Sequence, residues 1–506
     1  MVLTVHLLYP DRGLDPKTDP PPGSADLEAD LGLDGIWKAM AGGDPFILDV
    51  ARRVTLHSLT TEGVIRYRQG VLRDCLEDQK SFEELYSLAV AAIEGDRRIW
   101  GLASRRPAHA LRRATQSLDL LLPLLRRLRQ VIEGSMSGLP SAGVRSMVSA
   151  VRSDLDDAYL AGLDSCVQGL HRLSETQSIS ARLGPGNQGT ELELRVPSAT
   201  RVGWAERLGL GERSQYSFQI APRDDAGLQA LADLVDRGIN SGVEAVAQAA
   251  DHVLDFFSVL RFEVGFYLGC RNLHRALSDA GTSLCWPEPL SSEEPGLRCR
   301  ALVDAGLVLR APSPVVGNDI DATGCRLLVV TGANSGGKST FLRSVGLAQL
   351  MLQAGMFVAA DSFAAMVATS VQSHFVRGEE GEVDTGRLDN DLARLAEAVG
   401  RLNRGALLLL NEPLSATNER EGSEIARQVI SALLEEGVTV ILVTHFFTLA
   451  TALRGTPTVP VLHLIAERLA DGRRTYRIRV GDPMPSAFGS DLLARFELVG
   501  EAGRQT

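Results

Sequence analysis

The sequence predicts a multidomain protein: a mainly α-helical region followed by an α/β domain that opens on a phosphate-binding loop. Three observations carry this. Apolar residues recur every three or four positions between about residues 27 and 174 and again from Leu228 to Leu268, which is the period of a helix with one buried face. A Pro-, Gly- and Ser-rich stretch at residues 281–296 then closes the helical pattern, and beyond it short apolar strands alternate with helical segments, as in an α/β domain. Finally, Arg326-Leu-Leu-Val-Val-Thr331 is an apolar run that ends at Gly332-Ala-Asn-Ser-Gly-Gly-Lys-Ser-Thr340 and is followed by a helical pattern from Phe341. With 506 residues, 44% hydrophobic and 23% charged, the chain has globular composition. At roughly 100–200 residues per domain it has room for several.

The expected organisation is an N-terminal arm and the start of a helical core over 1–95, a helical core or lever over 96–285 and the α/β domain over 300–506. Residues 1–30 are rich in Pro and Asp around Pro16, Pro20, Pro21 and Pro22, the signature of an extended lead-in. Leu111, Leu118, Leu121, Leu125 and Leu128 mark one stripe of the first helical block. A short β insert is expected near 178–222, where Gly184 to Gly189 precede the alternating run Glu191-Leu-Glu-Leu-Arg-Val196. The second block carries Leu228, Leu231, Val235, Ile239, Val243, Val246, Ala250, Val253, Phe257, Leu260, Val264 and Leu268. Unbroken, that stripe extends about 60 Å, with Gly238 and Gly242 as places to bend. Periodicity alone allows either a projecting arm or an ordinary bundle helix.

Composition narrows the function classes. Lys and Arg number 52 against 63 Asp and Glu, a net charge of −11, so a polyanion partner requires a local basic surface. The N-terminus has no basic leader, and Pro10 and Asp11 stop its apolar run before it reaches the length of a secretory signal. No apolar stretch reaches the ~18–20 residues of a membrane span, so the expectation is a cytoplasmic protein with no membrane partner. The six cysteines have no CxxC or metal spacing and read as packed thiols.

The glycine loop matches G-x-x-x-x-G-K-[ST] in its required strand–loop–helix setting, which makes nucleotide binding the firmest inference from the sequence. Gly332, Gly336 and Gly337 let the backbone wrap a phosphate closely, so that its N–H groups and the helix N-terminus face the anion. Lys338 is expected to bridge the β- and γ-phosphates, with Ser339 ligating Mg²⁺ through its hydroxyl and Thr340 among the nucleotide-binding residues. A second apolar strand, Ala406 to Leu410, ends in Asn411-Glu412, and a third, Val438 to Val443, ends in Thr444-His445. Such strand ends gather at the carboxyl edge of a parallel sheet, where phosphates sit. Glu412 is then placed to polarise an attacking water and His445 to sense the γ-phosphate. Asn411 stands where most such ATPases carry an Asp, so it contacts Mg²⁺ through water as a neutral acceptor. That change allows a slow ATPase or a nucleotide switch that hardly hydrolyses; Glu412 favours the first.

These residues bear a specific resemblance. Thr331 to Arg343 resembles the P-loop of the MutS mismatch-repair family, Asn411 to Gly422 its acidic strand end and following loop, Thr444 to Leu449 its switch-histidine segment, and Gly481 to Gly489 its closing motif. Ala39 to Asp44 and Ile65 to Gln69 resemble the start of the family's helical core. The resemblance implies an ABC-like ATPase domain acting as a homodimer, each ATP and Mg²⁺ held between one subunit's P-loop and loops of its partner. It implies that Asn334 reaches the γ-phosphate side and that Val315-Val-Gly-Asn318 matches the adenine-side loop, without the aromatic the family carries there. Residues 382–392 occupy the place of the loop that acts in trans; its Ser-Thr-Phe is absent, leaving Thr385 as the candidate hydroxyl. Neither the family's N-terminal mismatch-reading domain nor a C-terminal nuclease domain is expected, so base wedging is not carried over.

Residues 97–129 hold nine arginines against one acid, Asp119. Among them, Arg105, Arg106, Arg112, Arg113, Arg126 and Arg127 are the candidate DNA-binding set, giving salt-dependent and sequence-independent affinity. On charge alone a solvated helix surface balanced by acids elsewhere is an equal reading, and the resemblance favours nucleic acid. The expected function is a MutS-like ATP-binding and ATP-hydrolysing protein that engages structured or mismatched DNA in repair or recombination. The rival is a nucleotide-gated interaction protein with negligible turnover, acting on a protein or ribonucleoprotein assembly.

Overall fold

A computed structural model describes residues 5–15, 17–99, 107–175, 178–183, 189–195, 225–291, 293–333, 336–376, 387–454, 459–469 and 473–483. In chain order the N-terminal helices are α1 (Ser24–Leu31), α2 (Leu33–Ala41), α3 (Pro45–Leu56), α4 (Glu62–Glu77), α5 (Gln79–Ile99), α6 (Pro107–Gly134), α7 (Ala142–Asp154) and α8 (Asp157–Glu175). The pair β1 (Ser178–Leu183) and β2 (Gly189–Arg195) follows, then the 55-residue α9 (Asp225–Asp279). The α/β part runs β3 (Glu288–Leu290), β4 (Leu297–Leu302), α10 (Ala305–Val308), β5 (Asn318–Asp321), β6 (Leu327–Thr331), α11 (Lys338–Gln353), β7 (Ser362–Met366), β8 (Val371–Phe375), α12 (Arg387–Gly400), β9 (Leu407–Asn411), α13 (Glu419–Glu435), β10 (Thr439–Val443), α14 (Phe447–Leu453), β11 (Val461–Arg468) and β12 (Arg474–Val480). The architecture is thus multidomain, helical at its N-terminal end and α/β with mixed sheets at its C-terminal end.

Two compact units divide the chain. One contains Asp78–Pro140 and Val144–Val264. Its helices obey the predicted period: Leu111, Leu118, Leu121, Leu125 and Leu128 of α6 are all buried. Leu118 packs with Val167 of α8 and Ala250 of α9, while Leu111 meets Leu170, with Val246 against both groups. Of the expected insert, the described strands β1 and β2 pair antiparallel, Ile179 opposite Leu194, while residues 184–188 and 196–222 lie outside the described residues. α9 is continuous through Gly238 and Gly242; one glycine costs a helix only about 1 kcal/mol, which a long run of good neighbours absorbs.

The second unit contains Leu7–Glu77, Ser141–Gly143 and Gly265–Thr506, so the segment that follows the Pro-rich lead-in packs with the α/β part. There the buried Asp30 of α1 accepts hydrogen bonds from Ser373 Oγ (2.8 Å) and the Phe375 amide (3.2 Å) at the end of β8. Gln353, fully buried at the end of α11, donates to the carbonyls of Leu59 and Ala368, both at 2.8 Å.

Six strands form the larger sheet in the order β12-β11-β6-β10-β9-β8, parallel throughout except for β12, which runs antiparallel to β11 at one edge. Its central strands read as unbroken apolar runs because both faces are covered: on one, Leu327, Val329, Leu408, Leu410, Val440 and Leu442 join Ile430 and Leu449 of the flanking helices in one core, and on the other Leu328, Val330, Leu409, Ile441 and Val443 are fully buried. Register decides the rest. Val443 of β10 lies beside Val330 of β6 and Asn411 of β9, so Gly332, Glu412 and Thr444 leave the sheet at one edge. A smaller sheet, β3-β7-β4-β5, completes the unit. Among the described residues no helix is long and apolar enough to cross a membrane.

Candidate functional site

β6 runs into a turn that only glycine enters without strain. Gly332 has φ +120°, and Gly337, the N-cap of α11, has φ +96°. Closure of this turn folds Lys338 back under the loop, where its ammonium, only 4% exposed, donates to the carbonyls of Gly332 (2.7 Å) and Ala333 (3.3 Å). Burial lowers the Lys338 pKa, and Glu412, whose Oε1 lies 3.8 Å from Nζ, works in the opposite direction.

Glu412 sits where β9 ends, its amide bonded to the Val443 carbonyl at 2.8 Å. Its Oε2 is in close contact with His445 Nδ1, from the turn after β10. Burial by itself raises the Glu412 pKa; the bond and charge of His445, together with Lys338, outweigh it and hold the carboxyl below its ordinary value. An ionised carboxylate between an ammonium and an imidazole is equipped to orient a water and accept its proton. One strand residue earlier, Asn411 Oδ1 accepts a 2.9 Å hydrogen bond from Ser339 Oγ.

A cavity of about 610 Å³ opens beside these groups, within the range that holds a small ligand. Gly336, Gly337, Lys338, Ser339, Thr340, Glu412 and Asn318 all line it. Three further site residues reach it through a neighbour: Gly332 through Lys338, Asn411 through Ser339 and His445 through Glu412. Leu302, Val315 and Val316 contribute apolar lining to it.

Two features there escaped the sequence reading. Asn318 is buried with its amide oxygen accepting the Ile478 amide at 2.6 Å, so its side chain ties β5 to β12. Tyr476, two residues earlier on the same strand, lines the cavity and supplies an aromatic ring that the stretch around Val315 lacks. The second is the backbone around Pro413: Glu412 has φ +56° and Leu414 φ +59°, a left-handed conformation rare outside glycine. Only the alternation of Arg474-Thr-Tyr-Arg-Ile-Arg-Val480 hinted at the first, and nothing local at the second.

Some candidates fall outside the described residues: Asn334, Thr385, Arg105, Arg106 and residues 484–489 of the closing motif. Of the remaining arginines, Arg126 pairs with Asp164 at 3.3 Å and Arg127 with Glu84 at 2.6 Å, both on other helices of the same unit. Arg112 is exposed and Arg113 half-buried. The acids that pair with Arg126 and Arg127 therefore lie within the helical unit.

The fold and site define a class: an α/β unit in which the ends of parallel strands converge on a glycine-rich loop, in one chain with a helical unit. Comparison with known families makes this specific. Residues 60–280 match the MutS2 N-terminal domain and residues 328–489 match MutS domain V. The chain belongs to the MutS family. It is similar to Endonuclease MutS2 of Thermomicrobium roseum, 31% identical over 191 residues, which cover 36% of this chain and 24% of that protein. Endonuclease MutS2 of Lacticaseibacillus paracasei is 31% identical over 217 residues, covering 42% and 27%. The DNA mismatch repair protein MutS of Chloroflexus aurantiacus is 33% identical over 169 residues, covering 32% and 17%. The matched region is thus about a quarter or less of each relative's length.

Proposed function

We propose that the chain binds ATP in the cavity beside the glycine loop, hydrolyses it slowly and uses the cycle to engage structured DNA as a homodimer. The observation that carries the reading is the convergence of Lys338, Glu412 and His445, from three separate elements, at the mouth of that loop. A buried ammonium compensated by one carboxylate 3.8 Å away gains from a polyphosphate, and Tyr476 with the apolar lining suits a purine ring. In the reaction a water oxygen attacks the γ-phosphorus, the bond from that phosphorus to the bridging oxygen breaks, and ADP leaves with the electron pair. Glu412 orients the water and takes its proton, His445 holds Glu412 in place, and Lys338 neutralises the growing charge.

Ser339 Oγ and Asn411 Oδ1, 2.9 Å apart, are both oxygen donors of the kind Mg²⁺ accepts, Ser339 directly and Asn411 through water. When bound there, the ion supplies charge neutralisation on the phosphates.

DNA as the partner is supported by family membership and by relatives named for mismatch repair and for endonuclease activity. Release of phosphate, measured alone and with forked, four-way, mismatched and fully paired DNA at two salt concentrations, tests this reading. Turnover stimulated by branched DNA supports it; nucleotide binding with no turnover under any condition supports a second reading, a nucleotide-gated interaction protein. The neutral Asn411 is the observation that favours that alternative.

A further inference from the structure

The left-handed turn that carries Glu412 is held on one side by a strand of the site and on the other by a helix outside it. A bulky residue holds positive φ only where its surroundings fix it, and here two flanking residues do so, at φ +56° and +59°. On one side the Glu412 amide is bonded to Val443 of β10. On the other, the Leu414 amide donates a 2.8 Å hydrogen bond to Oδ2 of Asp391, from the second turn of α12. Asp391 is only 8% exposed. Its Oδ1 lies 2.9 Å from Nε2 of the buried His374, close enough for an ion pair though not aligned as a hydrogen bond. His374 stands on β8 in register with Leu410, one residue before Asn411, and Arg394 of α12 bonds the neighbouring Phe375 carbonyl at 3.2 Å. The carboxylate is thus braced by β8 and by its own helix while it holds the backbone two residues beyond Glu412.

Resting on the hydrolysis reading, we infer that Asp391 is a positioning residue for Glu412: through the Leu414 amide it sets the turn that aims the Glu412 carboxylate at the His445 and Lys338 side of the cavity. Asp391 is not among the residues that line the cavity. Its loss therefore relaxes the turn and swings the carboxylate away, without altering the loop that holds phosphates.

The test measures two quantities in the full chain, kcat for ATP and Kd for a non-hydrolysable ATP analogue, in Asp391→Ala and Asp391→Asn, with thermal melting to establish that each is folded. Expected is a loss of kcat of about 10–100-fold in Asp391→Ala, the size that a displacement near 1 Å produces, and a smaller loss in Asp391→Asn, which keeps an acceptor oxygen. Analogue affinity is expected to stay within about threefold. In a Glu412→Gln background, Asp391→Ala is expected to cause no further loss, because the group it positions is already disabled. An unchanged kcat, an equal loss of analogue affinity, or a full additional drop in the Glu412→Gln background overturns the inference while leaving hydrolysis standing. A wild-type protein that binds the analogue and never turns over overturns the hydrolysis reading first, and this inference with it.

Discussion

Ser339 Oγ donates a 2.9 Å hydrogen bond to Asn411 Oδ1, joining the residue after the loop lysine to the end of the strand beside it. The pair is neutral on both sides. A divalent ion there meets two acceptor oxygens and no formal charge from the strand, and charge is the term that sets affinity for a hard cation. Asn411→Asp is expected to tighten the Mg²⁺ requirement of nucleotide binding by about tenfold, the equivalent of ~1.4 kcal/mol. Titration of Mg²⁺ against a fluorescent ATP analogue checks this; equal Mg²⁺ midpoints for both proteins contradict it.

Gly337 caps α11 at φ +96°, and a Cβ there would stand 3.4 Å from the Tyr476 carbonyl. Gly337→Ala is expected to cost about 1–2 kcal/mol through backbone strain alone. The same strain opens the phosphate cradle, so analogue affinity should fall at least about tenfold while thermal midpoint drops by only a few degrees. Calorimetry on the variant measures both; unimpaired binding refutes the role given to the loop.

Asp391 makes the protein's stability depend on pH in a defined direction. Burial pushes its carboxyl up, but the proximity of His374, the Leu414 amide and Arg394 outweigh burial and hold it below the ordinary 3.8. A carboxyl whose pKa is lower in the folded chain binds more protons when unfolded, so its contribution is complete above pH 3.8 and is lost as pH falls through the lower folded value. Asp391→Asn should therefore lower stability by about 1–3 kcal/mol at pH 7. The gap between the two proteins should narrow in denaturant titrations run below pH 3.8, and a gap that widens there contradicts the assignment.

The arginine row divides by what already holds each side chain. Arg126 and Arg127 are paired with Asp164 and Glu84, so their loss is expected to shift stability by under about 1 kcal/mol and DNA affinity little. Arg112 is exposed. If the helical unit carries DNA, Arg112→Ala lowers the salt slope of binding by about 1 and Arg126→Ala does not. Mobility shifts across a salt series separate the two; equal slopes for both variants contradict the division.

Much of this was legible in the sequence because it is local. The stripe Leu111, Leu118, Leu121, Leu125 and Leu128 faces inward because helical period and core burial coincide. The placement of Asn411, Glu412 and His445 at one sheet edge is legible because a continuous apolar strand that stops at a polar residue marks the carboxyl edge of a parallel sheet, and the register of Val330, Val443 and Asn411 brings those edges together. What stayed hidden is non-local. Tyr476 lines the cavity from β12, a strand held by its pairing with β11 and by the bond from the Ile478 amide to Asn318, far earlier in the chain. Asp391 meets the turn after Glu412 only through the packing of α12 on β8 and β9. Asp164 and Glu84 neutralise arginines that look unopposed along their own helix, and no periodicity announces a partner on another helix.

The most direct test of the central claim is phosphate release from ATP by the wild type and by Glu412→Gln, with binding of a non-hydrolysable analogue measured on the same preparations. Expected are slow release by the wild type, a fall of about 10²–10⁴-fold in Glu412→Gln and analogue binding undiminished in both. Absence of analogue binding by the wild type, or turnover that survives Glu412→Gln intact, would contradict that claim.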